Sequence, residues 1–218
     1  MTLLAPHAIG TPVARKDGRA KVTGTAPYAF EQHVVGPAYL HPVQATIARG
    51  RVVAMDVTAA RAVPGVLDVL TVFDAPRLAD ASDGELAILQ DDRVHFRGQL
   101  IGGVVAETAE IARNAAGLVR TEYAAESHDV ELTGNHPGLY TPESVNPSFP
   151  PDTDDGDVDA ASAAADVVVD AIYTTPIEHN NPMEPHACIA QWVVRDGLPA
   201  ITMFDSTQGV HVVRKTLA

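Results

Sequence analysis

The stretch "GQLIGGVVAETAEIARNAAGLVRTEYAAE", Gly98 to Glu126, decides the fold class. Leu100–Ala106 is a short, continuous apolar run, as expected of a strand buried on both faces. Thr108 follows as an N-cap for a helix that begins at about Ala109. Ile111, Ala115, Leu118 and Val119 then stand at i, i+4, i+7 and i+8, which places them on one apolar stripe. Glu110 near the helix start and Arg120 near its end suit the helix dipole. A buried strand feeding an amphipathic helix predicts an α/β unit of mixed α+β character. Gly98, Gly102 and Gly103 do not form G-x-G-x-x-G and lie with the strand rather than after it. They point to close packing against another backbone, not to a dinucleotide site.

Upstream, Gln44–Ala48 and Arg51–Val57 read as two strands joined at Arg49–Gly50. "VTAARAVPG" predicts a short helix capped by Thr58 and stopped at Pro64–Gly65, and "VLDVLTVF" is a further β-rich run. Residues 20–126 thus form one mixed α/β domain, preceded by a polar, glycine-rich arm over 1–19. Downstream, residues 127–162 are rich in Pro, Gly, Asp and Asn and predict an extended linker or wrapping loop. Over 163–218, "ADVVVDAIYTTP" predicts an alternating strand. Asp196–Gly197 between two β-rich runs predicts a hairpin. Val210, Val213 and Leu217 mark a closing amphipathic helix. These elements are too few to close a core, so 163–218 reads as an incomplete unit.

Bulk properties narrow the function. A net charge of −13 over 218 residues argues against a nucleic-acid partner, because phosphate binding needs clustered Lys and Arg. A single cysteine excludes both a disulfide framework and an iron–sulfur cluster held by this chain alone. No apolar run approaches the length of a membrane span, and the start shows no basic n-region, which favours a cytoplasmic protein.

The densest chemistry lies in "TTPIEHNNPMEPHACIAQW", Thr174 to Trp192. Glu178, His179, Glu184 and His186 could suggest a metal site. Their spacing is not that of paired zinc ligands, and Pro182 and Pro185 prevent the helix such pairs use. Glu184 with His186 as an acid/base pair and Glu184 with His186 as hydrogen-bonding supports in a proline-stiffened turn both remain open, the second favoured. Cys188, among small and apolar neighbours, reads as an inert core residue. Gln208, between a strand and a helix, stands where a side chain is often presented to a ligand.

Five motifs occur in order: "IGTPVARKDGRAKVTGTAPYAFE", "GRVVAMDVTAARAVPGVLDVLT", "GQLIGGVVAETAEIARNAAGLV", "YTTPIEHNNPMEPHACIAQW" and "STQGVHVVRKTLA". Together they resemble the molybdenum-binding large subunit of the xanthine dehydrogenase/aldehyde oxidase family, of the bacterial three-subunit type. The resemblance implies that 20–126 is an α/β hammerhead domain and that the start of the first molybdopterin-binding domain follows. It implies oxidation of an aldehyde, or hydroxylation of an N-heterocycle, with oxygen taken from water. The cofactor would be molybdenum–molybdopterin in the cytosine dinucleotide form, with [2Fe–2S] and FAD on partner subunits. Gln208 and Gly209 match a cofactor-contacting segment, the Gln208 amide facing the apical oxo ligand. Met183, Glu184 and His186 match a segment beside the cofactor and substrate channel, as supports and not as metal ligands. The glycine-rich "GGGFGGK" segment and the general-base glutamate have no matching positions, so no catalytic residue lies in this chain. The resemblance therefore implies the N-terminal part of a large subunit, inactive alone. Its expected partners are the remainder of that subunit, an iron–sulfur subunit, an FAD subunit and a small substrate. Export to the periplasm with a signal-bearing partner is the alternative compartment. A non-catalytic scaffold built from the same domains is the alternative function.

Overall fold

In the computed structural model, which describes residues 10–82, 84, 86–144, 149–176, 178–179, 181–182, 184 and 186–217, Leu100–Ala106 is a strand over the residues expected. In chain order the elements are α1 (Gly18–Val22), a 3₁₀ turn (Ala29–Glu31), β1 (Tyr39–Gln44), β2 (Gly50–Asp56), α2 (Thr58–Arg61), β3 (Val66–Thr71), β4 (Arg93–Val94) and β5 (Leu100–Ala106). They continue with α3 (Ala109–Ala116), β6 (Arg120–Ala125), α4 (Val158–Ala164), β7 (Cys188–Arg195), β8 (Leu198–Asp205) and α5 (Val210–Leu217). The chain divides into two units: Gly36–Asp170, and the residues up to Val35 together with those from Ala171 onward.

The first unit is the mixed α/β domain. β5 is the centre of an antiparallel sheet ordered β1-β5-β3, and β2 is the centre of a second ordered β4-β2-β6. α3 packs against β1 and β5, and α2 against β3. One core cluster takes Val43, Val69, Ile101 and Val104 from the first sheet and Val52 and Val94 from the second, with Ala60 of α2 and Ala115 of α3. Burial from both sides explains why β5 reads as an uninterrupted apolar run. Gly102 is required by close approach: a Cβ there would lie 2.7 Å from the carbonyl oxygen of Leu70 on β3. Gly102 therefore serves backbone packing, as expected, whereas a Cβ at Gly103 would meet only the Leu40 side chain at 3.5 Å and one at Gly98 only Gln44 Nε2 at 3.9 Å.

Local chemistry sets the element ends. The Thr108 hydroxyl accepts from the Ile111 N–H at 3.2 Å and caps α3. α3 stops at Ala116, before Gly117, so Leu118 lies beyond it and is exposed. Arg113, not Arg120, occupies its last turn, because Arg120 already opens β6. Thr58 is the first residue of α2 rather than its cap, and its N–H is taken by the Asp56 carboxylate at 2.9 Å.

The first strand departs most from expectation. It spans Tyr39–Gln44 instead of Gln44–Ala48 and belongs to a different sheet from β2. Pro42 disguises it, since proline lacks a ladder donor. β1 lies at a sheet edge, where one side needs no donor. A bulge between Val43 and Gln44 ends the regular register, and the Ala45 N–H still reaches the Gln99 carbonyl at 2.8 Å. Among the described residues of 127–162, α4, which runs on to Ala164, is the only helix, started by Asp157, whose carboxylate accepts from the Ala160 N–H at 2.9 Å.

The strand expected in "ADVVVDAIYTTP", which straddles the boundary between the units, is absent. Val167, Val168, Val169, Ile172 and Tyr173 are exposed, and alternation without a hydrogen-bonding neighbour does not hold a strand. The β7–β8 hairpin is present in the expected place. Asp196 and Gly197, at φ 53° and 78°, form its two-residue turn, which needs positive φ at both positions. Residues 20–35, expected with the α/β domain, lie instead in the second unit, where the 3₁₀ turn contacts β7 and β8.

Candidate functional site: Glu184 and the loop that carries Gln208

β7 and β8 pair in unbroken antiparallel register from Cys188↔Asp205 to Arg195↔Leu198. Ser206 is therefore the first residue released from the ladder, and Ser206–Gly209 bridges β8 to α5. Glu184, half-buried, sits four residues before β7 and faces this exit. Its Oε1 accepts the Ser206 hydroxyl at 2.8 Å and the backbone N–H of Ala29, in the 3₁₀ turn, at 3.2 Å. One carboxylate oxygen thus joins the 3₁₀ turn to the end of β8. The turn is itself fixed locally, because Glu31 accepts from the Tyr28 N–H at 2.8 Å.

These bonds hold Glu184 ionised. The Ser206 hydroxyl, then the Ala29 N–H, lower its pKa below the ordinary glutamate value, and the charges of Lys21 and His186 act in the same direction. A carboxylate stabilised in this way is a weak proton acceptor, and among the described residues His186 forms no hydrogen bond with it. The geometry thus favours the supporting role over the acid/base pair. The turn does bind backbone, but the backbone is 155 residues away in sequence rather than adjacent.

The other expected residues are dispersed. His186, Glu178 and His179 are exposed. Met183 lies outside the described residues. No group of three His, Cys, Asp or Glu able to hold a metal ion occurs among the described residues. Cys188 is exposed rather than in a core, because β7 belongs to a two-stranded sheet. Partial desolvation, and Asp205 opposite it, push its thiol pKa up, so it is a poor nucleophile at neutral pH. Ser206 and Ala29 carry no sequence signal for their roles. A serine after a strand is common, and nothing local announces a contact across 155 residues.

Gln208 is exposed at the bend that starts α5, and its amide forms no hydrogen bond with another described residue. Next to it, the Gly209 N–H donates to the Thr207 hydroxyl at 3.1 Å and the Gly209 carbonyl accepts the Val213 N–H at 3.1 Å. The loop is therefore locally ordered while one amide stays available. Neutral N–H donors at a helix start suit an oxo or phosphate oxygen. They do not suit direct ligation of a metal, which needs thiolate, imidazole or carboxylate.

Comparison with known proteins gives these features a context. The model of the aldehyde oxidase and xanthine dehydrogenase a/b hammerhead domain matches residues 23–127, and that of the molybdopterin cofactor-binding domain matches 140–218. The "Aldehyde oxidoreductase molybdenum-binding subunit PaoC" of Escherichia coli (strain K12) is 39% identical over 212 residues, which cover 96% of this chain and 28% of that protein. The "6-hydroxypseudooxynicotine dehydrogenase complex subunit gamma" of Paenarthrobacter nicotinovorans is 31% identical over 205 residues, covering 84% of this chain and 25% of that protein. Among solved structures, the aldehyde oxidoreductase from Desulfovibrio gigas gives a TM-score of 0.45 at 28% identity, over 52% of this chain and 14% of that one. The chain spans 28% of the length of the E. coli relative. Among the described residues, no helix is long and apolar enough to cross a membrane. The chain belongs to the aldehyde oxidase and xanthine dehydrogenase family, as part of a molybdenum-binding subunit that carries the hammerhead domain followed by the start of the molybdopterin cofactor-binding domain.

Proposed function

We propose that the chain forms part of a molybdenum hydroxylase large subunit that oxidises aldehydes and is inactive alone. The observation that carries this reading is the available Gln208 amide beside Gly209, at the strand-to-helix bend of a segment matched by the cofactor-binding domain. When bound, a molybdopterin cofactor supplies the redox chemistry and this chain contributes contacts to it. Gln208 donates an amide N–H to a cofactor oxygen and stabilises charge there. Gly209 lets the backbone pass close, and Glu184 with His186 supports the loop beside the channel, together with Met183. The general base, most cofactor contacts, the cytosine dinucleotide form, and the [2Fe–2S] and FAD partners belong to other polypeptide. The reading places the assembly in the cytoplasm.

The direct test is exchange of the matched segment of the E. coli relative for this chain, followed by aldehyde-dependent dye reduction. Gln208→Ala in that hybrid is expected to lower kcat about 10²-fold, as loss of an oxyanion-type donor does. Unchanged kcat with full cofactor loading would contradict the assignment.

A second reading, a scaffold that binds redox subunits without catalysis, is favoured by one fact. Among the described residues, every buried core residue lies in Gly36–Asp170, so this unit has a core of its own. Capture of an iron–sulfur or FAD subunit by the full chain, with no molybdenum in the complex, would support it.

A further inference from the structure

We infer that Glu184 is a positioning residue: by holding Ser206 and Ala29 on one carboxylate oxygen, it makes the 3₁₀ turn Ala29–Glu31 part of the support for the Gln208 loop. The inference rests on the proposed role of Gln208 for its consequence, but its structural content stands apart from any cofactor. Ser206 is two residues from Gln208, and its hydroxyl is fixed by Glu184 at 2.8 Å. Ala29 lies in a 3₁₀ turn that touches both β7 and β8, so the same carboxylate holds that turn against the hairpin. Beyond Ser206 the hydrogen bonds of the loop to other described residues are short-range, from Gly209 to Thr207 and from Val213 to Gly209. Such local bonds fix the shape of the loop. They do not fix its place relative to the hairpin, which depends on Ser206. An ionised acceptor also makes each bond stronger than a neutral one would be. Lys21 and His186 are the charged or titratable neighbours that bear on the carboxylate.

The test is residue-resolved hydrogen exchange on the full 218-residue chain with Glu184→Ala, Glu184→Gln and Ser206→Ala. Loss of the clasp is expected to speed exchange at Ala29 and at Gly209 and Val213 by roughly fivefold or more in Glu184→Ala. Glu184→Gln, whose amide oxygen still accepts, should fall between wild type and Glu184→Ala. Ser206→Ala should affect Gly209 and Val213 but leave Ala29 protected. In all three, the Val193 and Thr202 amides of the hairpin should stay as in wild type. Two results would overturn the inference. One is unchanged exchange at Gly209 and Val213 when Ala29 is freed. The other is equal loss of protection across the whole hairpin in every variant, which would make Glu184 a general stabiliser. No molybdenum is present in this measurement. The clasp can therefore hold while the Gln208→Ala result fails, or the reverse.

Discussion

Ile101 has no solvent exposure and lies where the two sheets and the helices of the α/β domain share one core. Ile101→Ala is expected to cost ~2–5 kcal/mol, through lost transfer energy and the cavity left behind, measured by urea unfolding of the full chain. A cost under ~1 kcal/mol would mean that the sheets do not share that core. Gly102 is constrained differently, since any Cβ meets the Leu70 carbonyl and the backbone has to move. Glu184 is governed by charge. Because its folded pKa is depressed, its contribution is fully present above the unfolded glutamate value and is lost as pH falls through the folded one. The Ala29 amide resonance is therefore expected to titrate with a midpoint below the ordinary glutamate range, and Glu184→Gln should abolish that titration. A midpoint at or above the ordinary value would contradict the two hydrogen bonds. At this scale the sequence predicts a stiff polar turn around Glu184. It does not show the partner, because Ala29 is brought there by tertiary contact alone.

Elements with their own start and stop chemistry were legible. β5 and the start of α3 follow from an apolar run and a Thr108 cap, whereas the end of α3 does not, since the apolar stripe runs on to Leu118 and Val119 while the helix stops before Gly117. The β7–β8 hairpin follows from Asp196–Gly197, whose positive φ values the turn demands. Thr108→Ala is expected to cost ~1 kcal/mol, read as a lower urea midpoint at unchanged slope. An unchanged midpoint would mean that the cap bond contributes nothing net. Elements that depend on a distant neighbour were not legible. β1 carries a proline that only an edge position excuses, and β4 has two residues held by β2. β6 is too polar to announce itself. The run 166–173 has strand-like alternation yet no partner, so it stays irregular.

The whole molecule consists of two units of unequal completeness. Gly36–Asp170 holds the buried core, whereas the unit with β7, β8 and α5 leaves Trp192, Val194, Leu198, Ile201, Val210 and Leu217 exposed. The exposure of these apolar side chains accords with the small number of elements there. The attachment of residues 20–35 to that unit was not legible in the sequence, because it depends on the 3₁₀ turn finding the hairpin. The central proposal is that this chain contributes to a molybdenum-dependent aldehyde-oxidising site that it does not form alone. The most direct measurement compares aldehyde-dependent dye reduction by the 218-residue chain with that by the hybrid carrying it in place of the matched E. coli segment. The account predicts no turnover by the chain and molybdenum-dependent turnover by the hybrid. Turnover by the isolated chain, or a folded and cofactor-loaded hybrid that oxidises no aldehyde, would contradict it.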